Sequence, residues 1–232
     1  RLLAKVQAQV RYLALEFGEA AIVPRTPGDT LKRGYGDCKD KATLLVAMLR
    51  EAGLQAHVAL LRSGDGQALR PELPGLAAFN HAIVRAEGPE PLWIDPTVPF
   101  AKAGLLPAQD SGRWALVVAP GTTQPVQTPA VRVDTNQDLE RREIFLEEEG
   151  PGRVVETTQA VGQAEIALRG RFYGAKPELL KENLKTYVKN TYDSEVINRA
   201  EVGEAMDLTT PFKLVLEASK AGRATTTMTD AR

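Results

Sequence analysis

The stretch Gly36-Asp37-Cys38-Lys39-Asp40-Lys41 decides how this chain is interpreted. It holds the only cysteine of the 232 residues and directly precedes a helical stretch, Ala42 to Ala52. Asp37 is typical of an N-cap, with Asp40 as its capping-box partner. Cys38 then lies in the first helical turn, where unpaired N–H groups and the helix dipole stabilise a thiolate. This predicts a nucleophilic cysteine, although a lone cysteine is also common as a small core residue.

The two histidines of the chain have different surroundings. His57 lies in a short strand-like run without other reactive groups, and we interpret it as structural. His81 lies in the run Phe79 to Arg85, and a second strand-like run, Leu92 to Asp95, follows after a turn with Gly and Pro. Two such runs separated by a short turn predict a β-hairpin.

A hairpin centred on Gly88 would place His81 directly opposite Asp95, and Ile83 opposite Trp93. Directly opposed residues share one face of a sheet, with Cβ atoms about 4.5 to 5.5 Å apart, which suits a hydrogen bond between imidazole and carboxylate. A slip of one residue would put the two side chains on opposite faces. The register therefore predicts a His–Asp pair, and the alternative is a strand histidine beside a turn-initiating Asp-Pro.

A cysteine, a histidine and an aspartate in this order are the parts of a nucleophilic triad. Three motifs carry a resemblance to the bacterial transglutaminase-like proteins of the papain-like superfamily, over roughly residues 1–118: Gly36 to Leu45, Phe79 to His81 and Leu92 to Thr97. The resemblance implies Cys38 as nucleophile, His81 as general base and acid, and Asp95 as orienting carboxylate. It also implies an α+β core in which a helix headed by the cysteine packs on an antiparallel sheet.

The oxyanion site and the cleft walls are predicted less directly. The backbone N–H of Cys38 is one expected oxyanion donor, because it lies at a helix N-terminus. The resemblance suggests Tyr12 as a second donor, whereas a core position on a predicted helix, Leu2 to Phe17, is the alternative. Tyr35 and Trp93 are candidates for lining the substrate cleft, or they pack beneath the motifs.

Composition excludes several classes of partner. With 29 basic and 30 acidic residues the net charge is −1, so we expect neither nucleic acid nor an anionic membrane surface as a partner. No run reaches the length of a membrane span, and no signal peptide is evident. The chain begins at Arg1 inside a helical pattern, so we expect further domains of a longer parent chain. The family resemblance suggests a periplasmic or cell-surface location.

The pattern changes after residue 118. Residues 119–129 form a Pro- and Thr-rich stretch, which predicts an extended connector between a transglutaminase-like catalytic domain, 1–118, and a second domain, 130–232. Most runs beyond it are typical of strands, including Ala164 to Phe172, and one helix is predicted from Pro177 onwards. We therefore predict a β-sandwich-like accessory domain. No repeated acidic loop resembles a calcium site, so we expect no metal and no cofactor.

Three functions fit these patterns. The first is a thiol enzyme that acts on amide or acyl groups of peptides or proteins through a Cys thioester, by amine transfer or by hydrolysis. The second is a cysteine peptidase or amidase, which uses the same residues and differs in the acceptor. The third is a non-catalytic binding or scaffold module of a larger envelope-associated protein.

Overall fold

The computed structural model describes residues 1–14, 18–64 and 75–227. The chain divides into two compact units, Arg1–Arg132 and Val133–Arg232. Among the described residues, none of the helices combines the length and the apolar character that crossing a membrane requires.

The first unit is α+β, as predicted. Its helices are α1 (Leu2–Gln9), α2 (Pro27–Arg33) and α3 (Cys38–Glu51). Its strands are β1 (Arg11–Tyr12), β2 (Tyr35–Gly36), β3 (Ala56–Leu61), β4 (His81–Ala86), β5 (Leu92–Ile94), β6 (Trp114–Val117) and β7 (Val126–Gln127). Five strands form an antiparallel sheet in the order β5-β4-β3-β6-β7, and β1 pairs with β2 in a short parallel ladder. Helix α3 packs against β4 and β3, so the helix headed by the cysteine lies on the sheet as expected.

The start of α3 confirms the predicted capping box. The Asp40 N–H donates to an Asp37 carboxylate oxygen at 3.1 Å, and the Asp37 N–H donates to Asp40 at 3.4 Å. A side chain at position 36 would come within 2.7 Å of the Asp40 Cβ, so only glycine fits before the cap. Cys38 is thereby the first residue of the helix.

Apolar side chains cover both faces of the five-stranded sheet. On the face towards α3, Val84 packs with Leu45 of the helix, whereas Ile83 packs on the other face with Leu61 and Trp93. The middle of β4, Ala82 to Val84, is buried on both faces of the sheet, which explains why this part of the strand is continuously apolar.

The register of the β4–β5 hairpin differs from the prediction. Val84 pairs with Ile94 and Arg85 pairs with Trp93, so the turn is centred one residue beyond Gly88, and Ile83 is not opposite Trp93. Each residue of β5 therefore pairs with a β4 residue two positions away from the predicted partner. Because side chains alternate with a period of two, this displacement keeps His81 and Asp95 on the same face.

Two further segments differ from the prediction. Helix α1 ends at Gln9, and Tyr12 lies in β1, opposite Gly36, rather than on a long helix. Residues 126–127, expected within an extended connector, form β7 and pair with Trp114 and Ala115 of β6. Part of the Pro-rich stretch thus belongs to the sheet of the first unit.

The second unit is rich in sheet, but its second layer is helical. Its elements are β8 (Gln137–Phe145), β9 (Gly150–Val161), α4 (Gln163–Phe172), α5 (Pro177–Tyr192), β10 (Val196–Val202) and β11 (Lys213–Thr226). The strands form one antiparallel sheet in the order β10-β11-β9-β8. The described residues therefore contain no second sheet in this unit, and the predicted sandwich is replaced by a sheet with two helices.

The run Ala164 to Phe172, predicted as a strand, is a helix. Glu165 and Arg169, four residues apart, form a buried ion pair at 2.7 Å along α4. The Arg169 guanidinium also donates to backbone carbonyl oxygens between Glu204 and Thr210. The apolar residues of the run 164–172 are compatible with a strand or with a helix. The buried pair of Glu165 and Arg169 needs a helix, because only there do residues four apart lie side by side.

Candidate active site

Cys38 and His81 line one cavity of the first unit, with a volume of about 160 Å³. Its walls come from the turn after the first 3-10 helix, from α3, from β3 and from the chain around β4: Ala21, Ile22, Cys38, Lys39, Leu60, Leu76, Phe79, Asn80, His81 and Ala82. Cys38 is 7% exposed and is a free thiol. A reagent that enters this cavity therefore meets the sulfur and the imidazole together.

His81 pairs with Asp95 and lies beside Cys38. Its Nε2 is 3.1 Å from Oδ2 of Asp95, and the Cys38 side chain is close enough to contribute to the raised pKa of His81. With Nε2 paired to Asp95, Nδ1 is the ring nitrogen left to act on the thiol. The side chain of Asp95 is 1% exposed and that of His81 is 12% exposed, so water screens these contacts weakly.

The Asp95 carboxylate is held from its other side. Its Oδ1 accepts hydrogen bonds from the backbone N–H of Thr97 at 2.8 Å and from the Thr97 hydroxyl at 2.7 Å. Burial by itself raises the pKa of Asp95, but the hydrogen bond and charge of His81 and the two bonds from Thr97 outweigh it and lower the pKa. Asp95 is therefore ionised at neutral pH and orients the imidazole.

The protonated form of His81 is strongly favoured. Burial alone lowers the pKa of His81, yet the hydrogen bonds to Asp95 and Cys38 and the negative charges of Asp95 and Asp110 raise it from 6.5 to about 10. A protonated imidazole beside a cysteine side chain is the pairing that nucleophilic cysteine chemistry uses.

Asp110 is a fourth polar group at the site, and sequence reasoning missed it. It ends the 3-10 turn Ala108–Asp110, and its Oδ2 lies 3.8 Å from Nε2 of His81. Burial raises the pKa of Asp110 to about 6, the charge of His81 opposes the rise, and Asp95 adds to it. A short polar turn after Pro107 has no periodicity that places it in space, so no signal in the sequence pointed to it.

The lysines of the cysteine motif have separate roles. Lys39 pairs with the Asp37 carboxylate. The Lys41 ammonium is buried and donates to the carbonyl oxygen of Val10 at 2.6 Å, at the end of α1. Burial lowers the pKa of Lys41 to about 8, and the charge of Asp95 opposes this shift. The motif thus fastens α3 to the segment before β1.

The remaining candidates lie around the site rather than in the cavity wall. Tyr12 is 45% exposed and pairs through its backbone with Gly36, two residues before Cys38. Trp93 is buried in the core face of the sheet, with the Arg85 guanidinium 5.9 Å from its ring, and Tyr35 lies under Arg33. Neither is among the residues that line the cavity, because the β5 register turns Trp93 towards the core.

The predicted structural histidine is separate from the site. His57 pairs with Arg85 in the sheet, and the Nδ1 atom of His57 lies 3.2 Å from an Arg50 guanidinium nitrogen.

Three side chains of the site could in principle bind a metal ion together. His81, Asp95 and Asp110 have ligand atoms within 4.8 Å of one another. The hydrogen bond from His81 to Asp95 already accounts for two of these three groups.

Comparisons with known proteins give a family match for the N-terminal part of the chain. Residues 1–94 match the model of the transglutaminase-like superfamily, and no curated protein matches the chain. A solved structure from Parabacteroides distasonis, named a "putative protease", is similar with a TM-score of 0.43 and 9% identity, over 94% of this chain and 44% of that one. The chain thus spans less than half of that protein's length. Residues 1–94 of this chain are therefore similar to the transglutaminase-like superfamily, which is typically a family of cysteine-based enzymes.

Proposed function

We propose that this chain is a thiol enzyme that forms a thioester between Cys38 and an acyl group of a peptide or protein amide, and then transfers that group to an amine or to water. The position of His81, paired with Asp95 and lining the same cavity as Cys38, carries this proposal. Cys38 is the nucleophile, His81 is the acid and base, and Asp95 orients the imidazole.

In the first step the Cys38 thiolate attacks the carbonyl carbon of the amide, and the carbonyl electron pair moves to oxygen. The tetrahedral intermediate then collapses. As the C–N bond breaks, His81 donates the proton on Nδ1 to the leaving nitrogen. Ammonia or an amine leaves, and a thioester and a neutral imidazole remain.

In the second step the neutral imidazole accepts a proton from the incoming amine or water as that group attacks the thioester carbon. Collapse of the second intermediate expels the Cys38 thiolate and restores the ion pair with His81. An amine gives transfer, and water gives hydrolysis. Both outcomes use the same residues, so the acceptor alone separates a transglutaminase-like reaction from that of a peptidase or amidase.

The oxyanion would form next to the start of α3. The N–H of Cys38 is at the first helical position, where helix geometry supplies no acceptor, so it is suited to donate to the oxyanion. Tyr12 remains the proposed second donor, since β1 pairs with the strand that leads into the cysteine.

The size of the cavity favours a macromolecular substrate. At about 160 Å³ it is smaller than the roughly 300 to 1,000 Å³ of sites that enclose a drug-sized ligand. It holds the reacting end of a substrate, such as a carboxamide side chain, while the rest of a peptide or protein stays outside.

The test is incubation with a library of glutamine-containing peptides, with and without a labelled primary amine. Amine incorporation means transfer, and release of acid alone means hydrolysis. Cys38→Ala should abolish both, and His57→Gln should leave both unchanged. A folded protein whose Cys38 reacts with iodoacetamide but which turns over no peptide would contradict the enzyme and favour the scaffold module.

A further inference from the structure

Asp110 is a fully buried acid against the imidazole of the proposed general base. Its side chain is 0% exposed, and its Oδ2 lies 3.8 Å from the same nitrogen of His81 that contacts Asp95. Neither carboxyl oxygen has a well-formed hydrogen bond, although the Ser63 hydroxyl and the Asp95 carboxyl are close enough to influence it. A buried carboxyl without donors is costly, so its position needs a reason.

The backbone of Asp110 is fixed on both sides. Its N–H donates to the carbonyl oxygen of Pro107 at 3.0 Å, and its own carbonyl oxygen accepts a bond of 2.6 Å from the Thr128 hydroxyl. Thr128 is 3% exposed and also accepts from the N–H of Arg113 at 2.9 Å. The carboxyl is therefore held against His81 by the segment that follows β7.

Three groups from different segments act on the Asp110 carboxyl. His81 faces it from β4, Asp95 from the segment after β5 and Ser63 from the segment after β3. His81 is the cation among these three. An ionised Asp110 is therefore stabilised mainly by the imidazolium, and the imidazolium is stabilised in return.

We propose that Asp110 is a positioning residue: a second buried carboxylate that lies against His81 beside Asp95 and adds to the stabilisation of the imidazolium. Its catalytic consequence rests on the proposed function. A histidine with two carboxylates is a weaker acid and a stronger base, so Asp110 assists the second step, in which His81 takes a proton from the acceptor. The charge coupling itself is a property of the folded protein and needs no substrate.

The chain offers a direct test because it has two histidines. In a His57→Gln background, the ¹⁵N resonances of labelled histidine report on His81 alone. We expect the parent form to titrate near pH 10, with a second inflection near pH 6 from Asp110. Asp110→Asn should remove the inflection and lower the pKa of His81 by about one unit or more, whereas Asp110→Glu should retain most of the effect.

Glu90→Gln is the matched control, because Glu90 is an exposed acid in the β4–β5 turn. It removes a charge from the same unit and should leave the titration of His81 unchanged. An unchanged pKa in Asp110→Asn would overturn the proposal. If Asp110→Asn does not fold, the His57→Gln protein alone still tests the proposal. A His81 titration curve of that protein without an inflection near pH 6 would overturn it.

Activity separates this inference from the proposed function. If turnover is observed, Asp110→Asn should slow release of the acyl group from Cys38 more than its formation. If no form turns over peptide while the pKa of His81 still depends on Asp110, the proposed function fails and the coupling stands.

Discussion

Replacing Asp95 with Asn tests the central contact of the site with little change in shape. The substitution removes the negative charge 3.1 Å from Nε2 of His81. We expect the folded variant to lose the ion pair between His81 and Cys38 at lower pH than the parent does, because Asp95 supplies the largest contribution that favours the imidazolium.

The magnitude follows from the shift of His81. A pKa raised from 6.5 to about 10 corresponds to about 5 kcal/mol in favour of the protonated ring, at about 1.4 kcal/mol for each unit. Asp95, Cys38 and Asp110 share this stabilisation. Loss of one adjacent carboxylate lowers a pKa by about 1 to 3 units, so the equilibrium constant for the ion pair should fall by about 10- to 1,000-fold.

The assay is the rate of alkylation by iodoacetamide between pH 5 and pH 9, since the chain has one cysteine and labelling reports on Cys38 alone. At pH 8 the Asp95→Asn variant should react several-fold more slowly than the parent, because its imidazole has begun to lose the proton that the parent retains. Thr97→Val is the matched control. It removes the hydroxyl that bonds to the outer carboxylate oxygen at 2.7 Å and keeps the charge, so its effect should be smaller. An Asp95→Asn protein that is folded and reacts like the parent at pH 8 would refute the reasoning.

Three further outcomes are expected. First, His81→Gln should slow alkylation of Cys38 at pH 6 by about 10-fold or more, while His57→Gln leaves it unchanged; equal losses in both would mean a global effect. Second, Thr128→Val should lower the free energy of unfolding in urea by about 1 to 3 kcal/mol, because it leaves the buried carbonyl of Asp110 without a donor. Third, the raised pKa of His81 stabilises the fold fully below pH 6.5, and this stabilisation is lost as pH rises towards about 10. Stability of His81→Gln should therefore decline less over that range than stability of the parent.

The N-terminal site could be predicted because local rules determine its parts. The capping box depends on two residues three apart, and it places Cys38 at the helix start whatever the rest of the fold does. His81 and Asp95 needed a long-range assumption, the hairpin register. The register was wrong by two residues and the pair still formed, because only an odd displacement changes the face of a side chain.

The rest of the site could not be predicted, since it depends on tertiary contacts between segments without periodicity. Tyr12 was suggested by the family resemblance and Trp93 by its place in a strand-like motif, but strand pairing and core packing decided the surroundings of both residues. The prediction of a strand at 164–172 was wrong for a related reason. The apolar residues of this run are compatible with a strand or with a helix, and the buried Glu165–Arg169 pair that distinguishes the two is visible only in the folded structure.

Asp110 shows how such a contact changes the chemistry that the triad alone would predict. With Asp95 as the sole carboxylate, the ring would carry one compensating charge, and the site would be close to neutral when the thiolate and Lys41 are both charged. A second carboxylate makes that cluster more negative, which favours a proton on His81. In the proposed mechanism the same proton must leave for the ring to act as a base in the second step. The leaving nitrogen takes that proton during the first step, so formation of the thioester precedes activation of the acceptor by His81.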